Sequence, residues 1–226
     1  MDFVSGTVIV TVPHFRRLAM KLGEIKIEAL KLMFVNYNKD YSISDLSNLM
    51  SDENCGSYLA NMPGSINRCF SVIEEKRVLP VRTYTIKEFD TSGYFARFSL
   101  SSIPDFFDIE RVIKESRRGY IGCLPYIREG NDLLISDYDE EAIYRVVYKP
   151  SIERVMSFTD EYADIDIPDK IAAFIPYFIK GDLYREDEPS EASEARNWFE
   201  QAMDSISEPI VNSVDSVSTV YSQTEF

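Results

Sequence analysis

Carboxylates are the side chains of this sequence that are gathered closely enough to do chemistry. Two groups stand out: Asp137, Asp139, Glu140 and Glu141, and then Asp160, Glu161, Asp164, Asp166 and Asp169. Oxygens at such spacing are the hard donors that a divalent cation takes, and a bound Mg²⁺ or Mn²⁺ would bring hydrolytic chemistry. Neither group has the spacing and glycine of an EF-hand loop. Both fall at expected strand ends or linkers, where solvated acids are the ordinary outcome. The rest of the inventory is thin. His14 is the only histidine, so one subunit cannot build a histidine triad or a multi-histidine metal site. There is no Walker loop, no G-x-G-x-x-G and no G-x-S-x-G. Cys55, Cys69 and Cys123 lie far apart without a C-x-x-C, a pattern of reduced structural thiols rather than a disulfide framework or zinc site. The expectation is a protein with no catalytic centre and no cofactor. A metal-dependent hydrolase or nuclease using the acidic clusters is one alternative, and a cytoplasmic interaction module is another.

Charge says more about partners than about catalysis. The 226 residues carry a formal net charge of -14, and a pI near 4.6 argues against tight nucleic-acid binding, which needs a basic face. DNA can pass such a surface without being held. Much of the imbalance follows Asp182, where Glu186, Asp187, Glu188, Glu191 and Glu194 crowd a short stretch opposed only by Arg185 and Arg196. Glu188, Glu191 and Glu194 also suit the first turn of a helix, whose dipole favours negative charge. Arg117 and Arg118 read most simply as a solvated hairpin tip, with contact to a phosphate or an acidic partner as the sharper alternative. At 45% hydrophobic the chain can bury a real core in one or two domains. No apolar run approaches the roughly 20 residues of a membrane span, and the N-terminus lacks the order of a secretion signal. These features predict a protein made and used in a cytoplasm.

The elements that must position these residues can be read from periodicity. Ile171, Phe174, Ile175 and Phe178 fall on one helical face, and Ala192, Ala195, Phe199, Ala202 and Ile206 on another. Together they predict an αα-hairpin with its turn at Gly181 to Glu188, and with Phe174, Phe178, Phe199 and Ile206 buried. Pro168 and Pro189 mark the helix starts, and Pro176 should bend the first helix. Upstream, Phe15, Leu18, Ala19 and Leu22 predict a helix stopped by Gly23. Ile27, Leu30, Met33, Phe34 and Tyr37 predict a stronger one. Ser42 to Met50 opens with capping residues and offers Leu46, Leu49 and Met50 as an apolar face. Pro63 and Gly64 should start a further helix, with Ile66, Cys69 or Phe70, and Ile73 buried and Pro80 ending it. From Val81 the period changes to two, with Tyr84, Ile86, Tyr94, Ala96, Phe98 and Leu100 alternating. Further strands are expected at Phe107 to Lys114, Tyr120 to Arg128, Asp132 to Tyr138 and Ala142 to Lys149. Turns this short predict antiparallel neighbours. The fold class is therefore α+β: N-terminal helices over 1–80, an inserted antiparallel sheet or small sandwich over 81–158, a helical hairpin over 159–206 packing on the first helices, and an extended arm over 207–226.

The stretches NMPGSINRCF at Asn61 to Phe70, IPDFFDIERVI followed by YIREGNDLLIS, and IPDKIAAFIPYFIKGDLYREDEPSEASEARNWFEQAM at Ile167 to Met203 resemble the head-to-tail connector, or neck adaptor, proteins of tailed bacteriophages. The resemblance implies a structural virion protein, assembled in the host cytoplasm into a homo-oligomeric ring, with a dodecamer expected. Such a ring docks to the portal protein, extends the DNA channel and meets other neck or tail proteins. DNA then passes through the lumen without specific binding, and no membrane is involved. On this reading Arg117, Arg118, Glu129 and Asn131 are loop-tip contacts. Val217, Val220, Tyr221 and Phe226 belong to an arm that pairs with a neighbour, and Glu186, Asp187, Glu188, Glu191 and Glu194 line the channel or an inter-subunit groove.

Overall fold

A computed structural model describes residues 20–34, 41–91, 93–117, 119 and 121–207. Phe15, Leu18, Ala19 and Tyr37 of the expected N-terminal stripes lie outside these residues, as do His14, Arg118 and the arm beyond Ser207. The architecture is α+β.

The first helix, α1 (Leu22–Met33), does not end at Gly23 but begins beside it. Its first amides find acceptors in a distant loop, Leu22 N–H on the Ala163 carbonyl at 3.0 Å and Gly23 N–H on that of Glu161 at 2.8 Å. Glycine serves there because a Cβ would stand 2.9 Å from a methyl of Ile43 and 3.0 Å from the Glu161 oxygen. A 3-10 turn (Ile43–Asp45) follows, started by Ser42, whose N–H is bonded by the Asp45 carboxylate at 2.8 Å. It runs into the short α2 (Leu46–Leu49), which buries Leu46 and Leu49 but leaves Met50 exposed. The long helix α3 (Gly56–Glu75) starts well before Pro63, which lies inside it. The reason is the apolar line Leu59, Met62, Ile66, Cys69, Phe70 and Ile73, each at most 3% exposed. Burial along that line holds the helix through the one position where proline removes a backbone bond. The helix ends at Glu75, before Pro80, and Arg77 turns the chain at a φ of 56°.

Strands β1 (Arg82–Ile86), β2 (Ala96–Ser99), β3 (Phe106–Glu115), β4 (Ile121–Leu124), β5 (Ile127–Glu129), β6 (Asp132–Ile135) and β7 (Ile143–Pro150) form two antiparallel sheets. The orders are β1-β7-β3-β4 and β2-β6-β5. Their facing sides share one cluster, with Phe98, Leu133 and Ile135 from one sheet and Val112, Tyr144 and Val146 from the other. Ala96, Phe98 and Leu100 are buried as their alternation predicts, whereas Tyr94 is fully exposed. The run expected as one strand to Arg128 is two strands in different sheets, parted at Pro125, which has no N–H for a ladder. Nor are β6 and β7 neighbours despite their short connection; β7 pairs instead with β1 and β3.

The chain returns to helix at α4 (Asp169–Ala172), α5 (Ile175–Leu183) and α6 (Pro189–Ser207). Pro176 breaks the expected single helix rather than bending it. It falls in the first turn of α5, where its missing N–H costs nothing. Phe174 is consequently a half-buried cap residue, and Ile206 is also half-buried, while Ile175, Ile179 and Met203 complete the core. Phe178 and Phe199 are buried as expected and meet edge to face, ring centres 5.0 Å apart. Gly181 is inside α5 rather than in the turn. A Cβ there would stand 3.0 Å from the Ala192 carbonyl, so its absence lets α5 and α6 close on each other.

The two apolar clusters are joined by polar contacts. Glu74 of α3 is 4% exposed, and its carboxylate accepts from Ile152 N–H at 2.7 Å and from the Arg154 guanidinium at 2.5 Å. Asn67, two turns earlier, exchanges two 2.8 Å bonds with the backbone of Val155. Lys149 Nζ donates to the Leu79 carbonyl at 2.8 Å, and Arg82 holds both Asp105 and Asp166. Glu74→Ala leaves the buried Ile152 N–H without its acceptor and is expected to cost about 1.5–3 kcal/mol, the range for a hydrogen bond to a charged group. A denaturant titration checks it; a loss under about 0.5 kcal/mol would show that the contact does not hold the segment.

Candidate functional site

The acidic turn between α5 and α6 is displayed by an aromatic anchor behind it. Tyr184 is 6% exposed and its hydroxyl donates to the Met33 carbonyl. Its ring meets those of Tyr58 and Phe34 edge to face, at 5.7 and 6.3 Å. With Tyr184 fixed at the end of α1, Glu186, Asp187 and Glu188 point outward and are exposed. Asp187 accepts from the Tyr58 hydroxyl at 2.5 Å, and that bond pushes the Tyr58 pKa up to about 12. Glu191 pairs with Lys180 at 2.7 Å. Glu186, Glu188 and Glu194 make no ion pair among the described residues. All five acids are exposed, and two of them, Asp187 and Glu191, are engaged within the chain.

Two features of this face were not read from the sequence. Trp198 is 54% exposed and, seven residues after Glu191 and four after Glu194, continues their stripe along α6. Its place off the Ala192–Ala195–Phe199 stripe is the signal that would have found it. Behind the turn, a groove of about 380 Å³ between α5 and α6 is lined by Asp182, Arg185, Ser193, Arg196 and Asn197. The Arg196 guanidinium lies 4.3 Å from the centre of the Phe178 ring, and Asp182 is held by Arg68 at 2.5 Å.

The expected loop-tip residues do not come together. Arg117 stands on the β3–β4 turn, with its side chain 75% exposed, and pairs with Glu141 at 2.8 Å. Glu129 and Asn131 stand on the β5–β6 turn at the opposite end of the β region. Glu115, beside Arg117, is across from Ile143, while Arg128, beside Glu129, reaches Asp108 near the start of β3 at 2.7 Å. The separation follows from β4 and β5 running on through Pro125, which sends successive turns to opposite ends. Asn131 accepts from Leu100 N–H at 2.7 Å, so it is engaged within the fold. Arg118, Val217, Val220, Tyr221 and Phe226 lie outside the described residues.

Of the acidic clusters open to a cation reading, Asp139, Glu141, Glu161 and Asp166 are engaged with bases. Glu141 is held by Arg117 and Asp166 by Arg82, while Asp139 lies 3.8 Å from Lys114. Glu161 meets Lys26 at 2.5 Å. Among the described residues, no three His, Cys, Asp or Glu side chains converge as metal ligands. Lys26 itself is 6% exposed, because it stands one turn from both Leu22 and Leu30 on the buried stripe of α1. It floors a groove of about 520 Å³ walled by Ile43, Leu46, Met50, Leu59 and Tyr162. Cys55 and Cys69 are buried and Cys123 is exposed, and burial raises the Cys69 pKa. Among the described residues no helix is long and apolar enough to cross a membrane.

In comparisons with known proteins, no family model matches the chain and no curated protein matches it.

The Arg117–Glu141 tip rests on an exposed ion pair, a contact of small energetic weight. Replacing Ser116–Gly119 by an unrelated four-residue turn is therefore expected to leave the thermal midpoint within about 2 °C. Assembly with a partner should weaken if the tip is a contact. Unfolding of the replaced protein would make the tip structural instead.

Proposed function

We propose that the protein is a structural component of the neck of a tailed bacteriophage, a ring-forming connector that docks to the portal protein and extends the DNA channel. The observation that carries the reading is the outward acidic face of the α5–α6 hairpin. Glu186, Glu188 and Glu194 stand there without a basic partner among the described residues, on a chain whose net charge is -14. In a narrow lumen such a wall repels phosphate, so DNA slides past without sticking. The helical hairpin, packed against α1 and α3, supplies a rigid wedge of the kind that repeats around a ring. The β region carries a separate turn, Ser116–Gly119, at its far end, open to other neck or tail proteins. Residues 207–226 supply an arm toward a neighbouring subunit or the portal. A dodecamer in the virion neck is the assembly this reading expects. The acidic clusters give the hydrolase alternative no comparable support, since Glu141, Glu161 and Asp166 are engaged by Arg117, Lys26 and Arg82.

Size-exclusion with light scattering, on the protein alone and with a portal protein, tests the reading. A closed ring or a stoichiometric complex is the expected result, together with no DNA binding at micromolar concentration and physiological salt. A monomer that ignores the portal, or one that binds DNA tightly, would overturn it.

A further inference from the structure

Two exposed faces of the chain combine apolar side chains with opposite charge. The first is the outer side of the four-stranded sheet. Val112 and Val146 point into the cluster shared by the two sheets, so the residues beside them on β3 and β7 point outward. There Ile113 lies between Cys123 and Arg145, and one step further Glu115 lies between Ile121 and Ile143. Ile121 is 60% exposed and Ile143 46%. Glu115 is paired with Arg145 at 2.6 Å. Arg111, two residues before Ile113 on the same side, is exposed and makes no ion pair among the described residues. On a chain of net charge -14, this patch carries more base than acid.

The second is the stripe of α6 that ends in Trp198. Its indole is 54% exposed, and Glu194, one turn before it, is exposed with no ion pair among the described residues. Tryptophan is the side chain that most often anchors an interface. The two faces match in charge and spacing. Arg111 stands about 7 Å along β3 from Ile113, and Glu194 about 6 Å along α6 from Trp198. Copies of so acidic a chain repel each other except where a basic patch meets an acidic one. Both faces are open within one chain, so the match is made between chains. We propose that the Glu194–Trp198 stripe of one copy docks head to tail on the Arg111, Ile113, Ile121 and Ile143 face of the next. With α6 laid along β3, Trp198 covers Ile113 and reaches between the two exposed isoleucines while Glu194 meets Arg111. Glu115, between those isoleucines, accepts from the indole N–H. A contact between unlike patches repeats from copy to copy and closes into a ring where the rotation allows. The inference deepens the ring reading and rests on it for closure. It gives Glu194 to the seam between copies and leaves Glu186 and Glu188 to the lumen.

Two variants of the full chain, each blocking one face, test the contact by light scattering. Ile121→Glu puts a carboxylate into the sheet face, and Trp198→Glu removes the anchor; both positions are exposed, so each variant should keep its fold. Each alone should be a monomer of 26.0 kDa. Mixed one to one, they should give a two-chain species and nothing larger, because one intact sheet face meets one intact helix face. In a second pair, Arg111→Glu and Glu194→Arg should each weaken assembly at least about tenfold and, combined in one chain, restore it. This pair decides if a blocking variant fails to fold: no restoration overturns the inference. A wild-type chain that stays monomeric, assembly that neither block disturbs, or a mixture without the two-chain species overturns it as well. So does dissociation by Ile121→Glu alone, which marks sheet packed on sheet, or by Trp198→Glu alone, which marks another seat for α6. Assemblies built through these faces that never bind a portal protein would leave this inference standing and sink the connector reading. A portal-binding ring whose size neither block changes would do the reverse.

Discussion

The carboxylate of Glu74 is the contact on which the arrangement of this molecule depends. A helix, α3, carries it into an almost dry position, where it satisfies a backbone amide and a guanidinium of the segment leaving β7. Asn67 repeats the device on the same face of α3 with Val155. Between these two grips Ile152 and Val155 enter the helical core, and the chain beyond them delivers the Glu161 and Ala163 carbonyls to the first amides of α1. The β region is therefore not a freely hinged insertion. Its exit strand is bound to the longest helix, and the same segment starts the first one. A buried carboxylate is costly unless every lone pair in use has a donor, which makes the position specific for this chain path.

What was legible in the sequence was what periodicity encodes. The stripes of α3, α5 and α6 were read correctly at Ile66, Phe70, Phe178, Ala195 and Phe199, because burial on a helix repeats every three or four residues. The alternation of Ala96 and Phe98 likewise marked a buried face. Proline was less legible. At Pro63 a strong apolar line carries the helix through, at Pro176 the helix parts, and at Pro125 a strand changes sheets; burial of the flanking residues decides among these outcomes. Pairings at long range left no local trace. Nothing near Arg82 says that β1 meets β7, and nothing near Glu74 says that its partners stand at Ile152 and Arg154.

The candidate surfaces show the same division. That Glu186 to Glu194 crowd acids into a short stretch could be read from composition, but that Asp187 is held by Tyr58 and Glu191 by Lys180 could not. The distinction matters for electrostatics, since Lys180 offsets the charge of Glu191, whereas the neutral Tyr58 hydroxyl leaves Asp187 its charge, as Glu186, Glu188 and Glu194 keep theirs. Trp198 in their midst adds an apolar surface to a polar stripe. Arg117 stands at one end of the β region, and Glu129 and Asn131 at the other, for a topological reason: strands continuing through Pro125 send successive turns to opposite ends.

The central claim is that Glu74 and Asn67 bind the β region and the helical body into one cooperative unit, although their apolar cores are separate clusters. Scanning calorimetry of the full chain tests this most directly. The account predicts a single transition whose calorimetric and van't Hoff enthalpies agree. Two resolved transitions, with the β region and the helices melting independently, would contradict it.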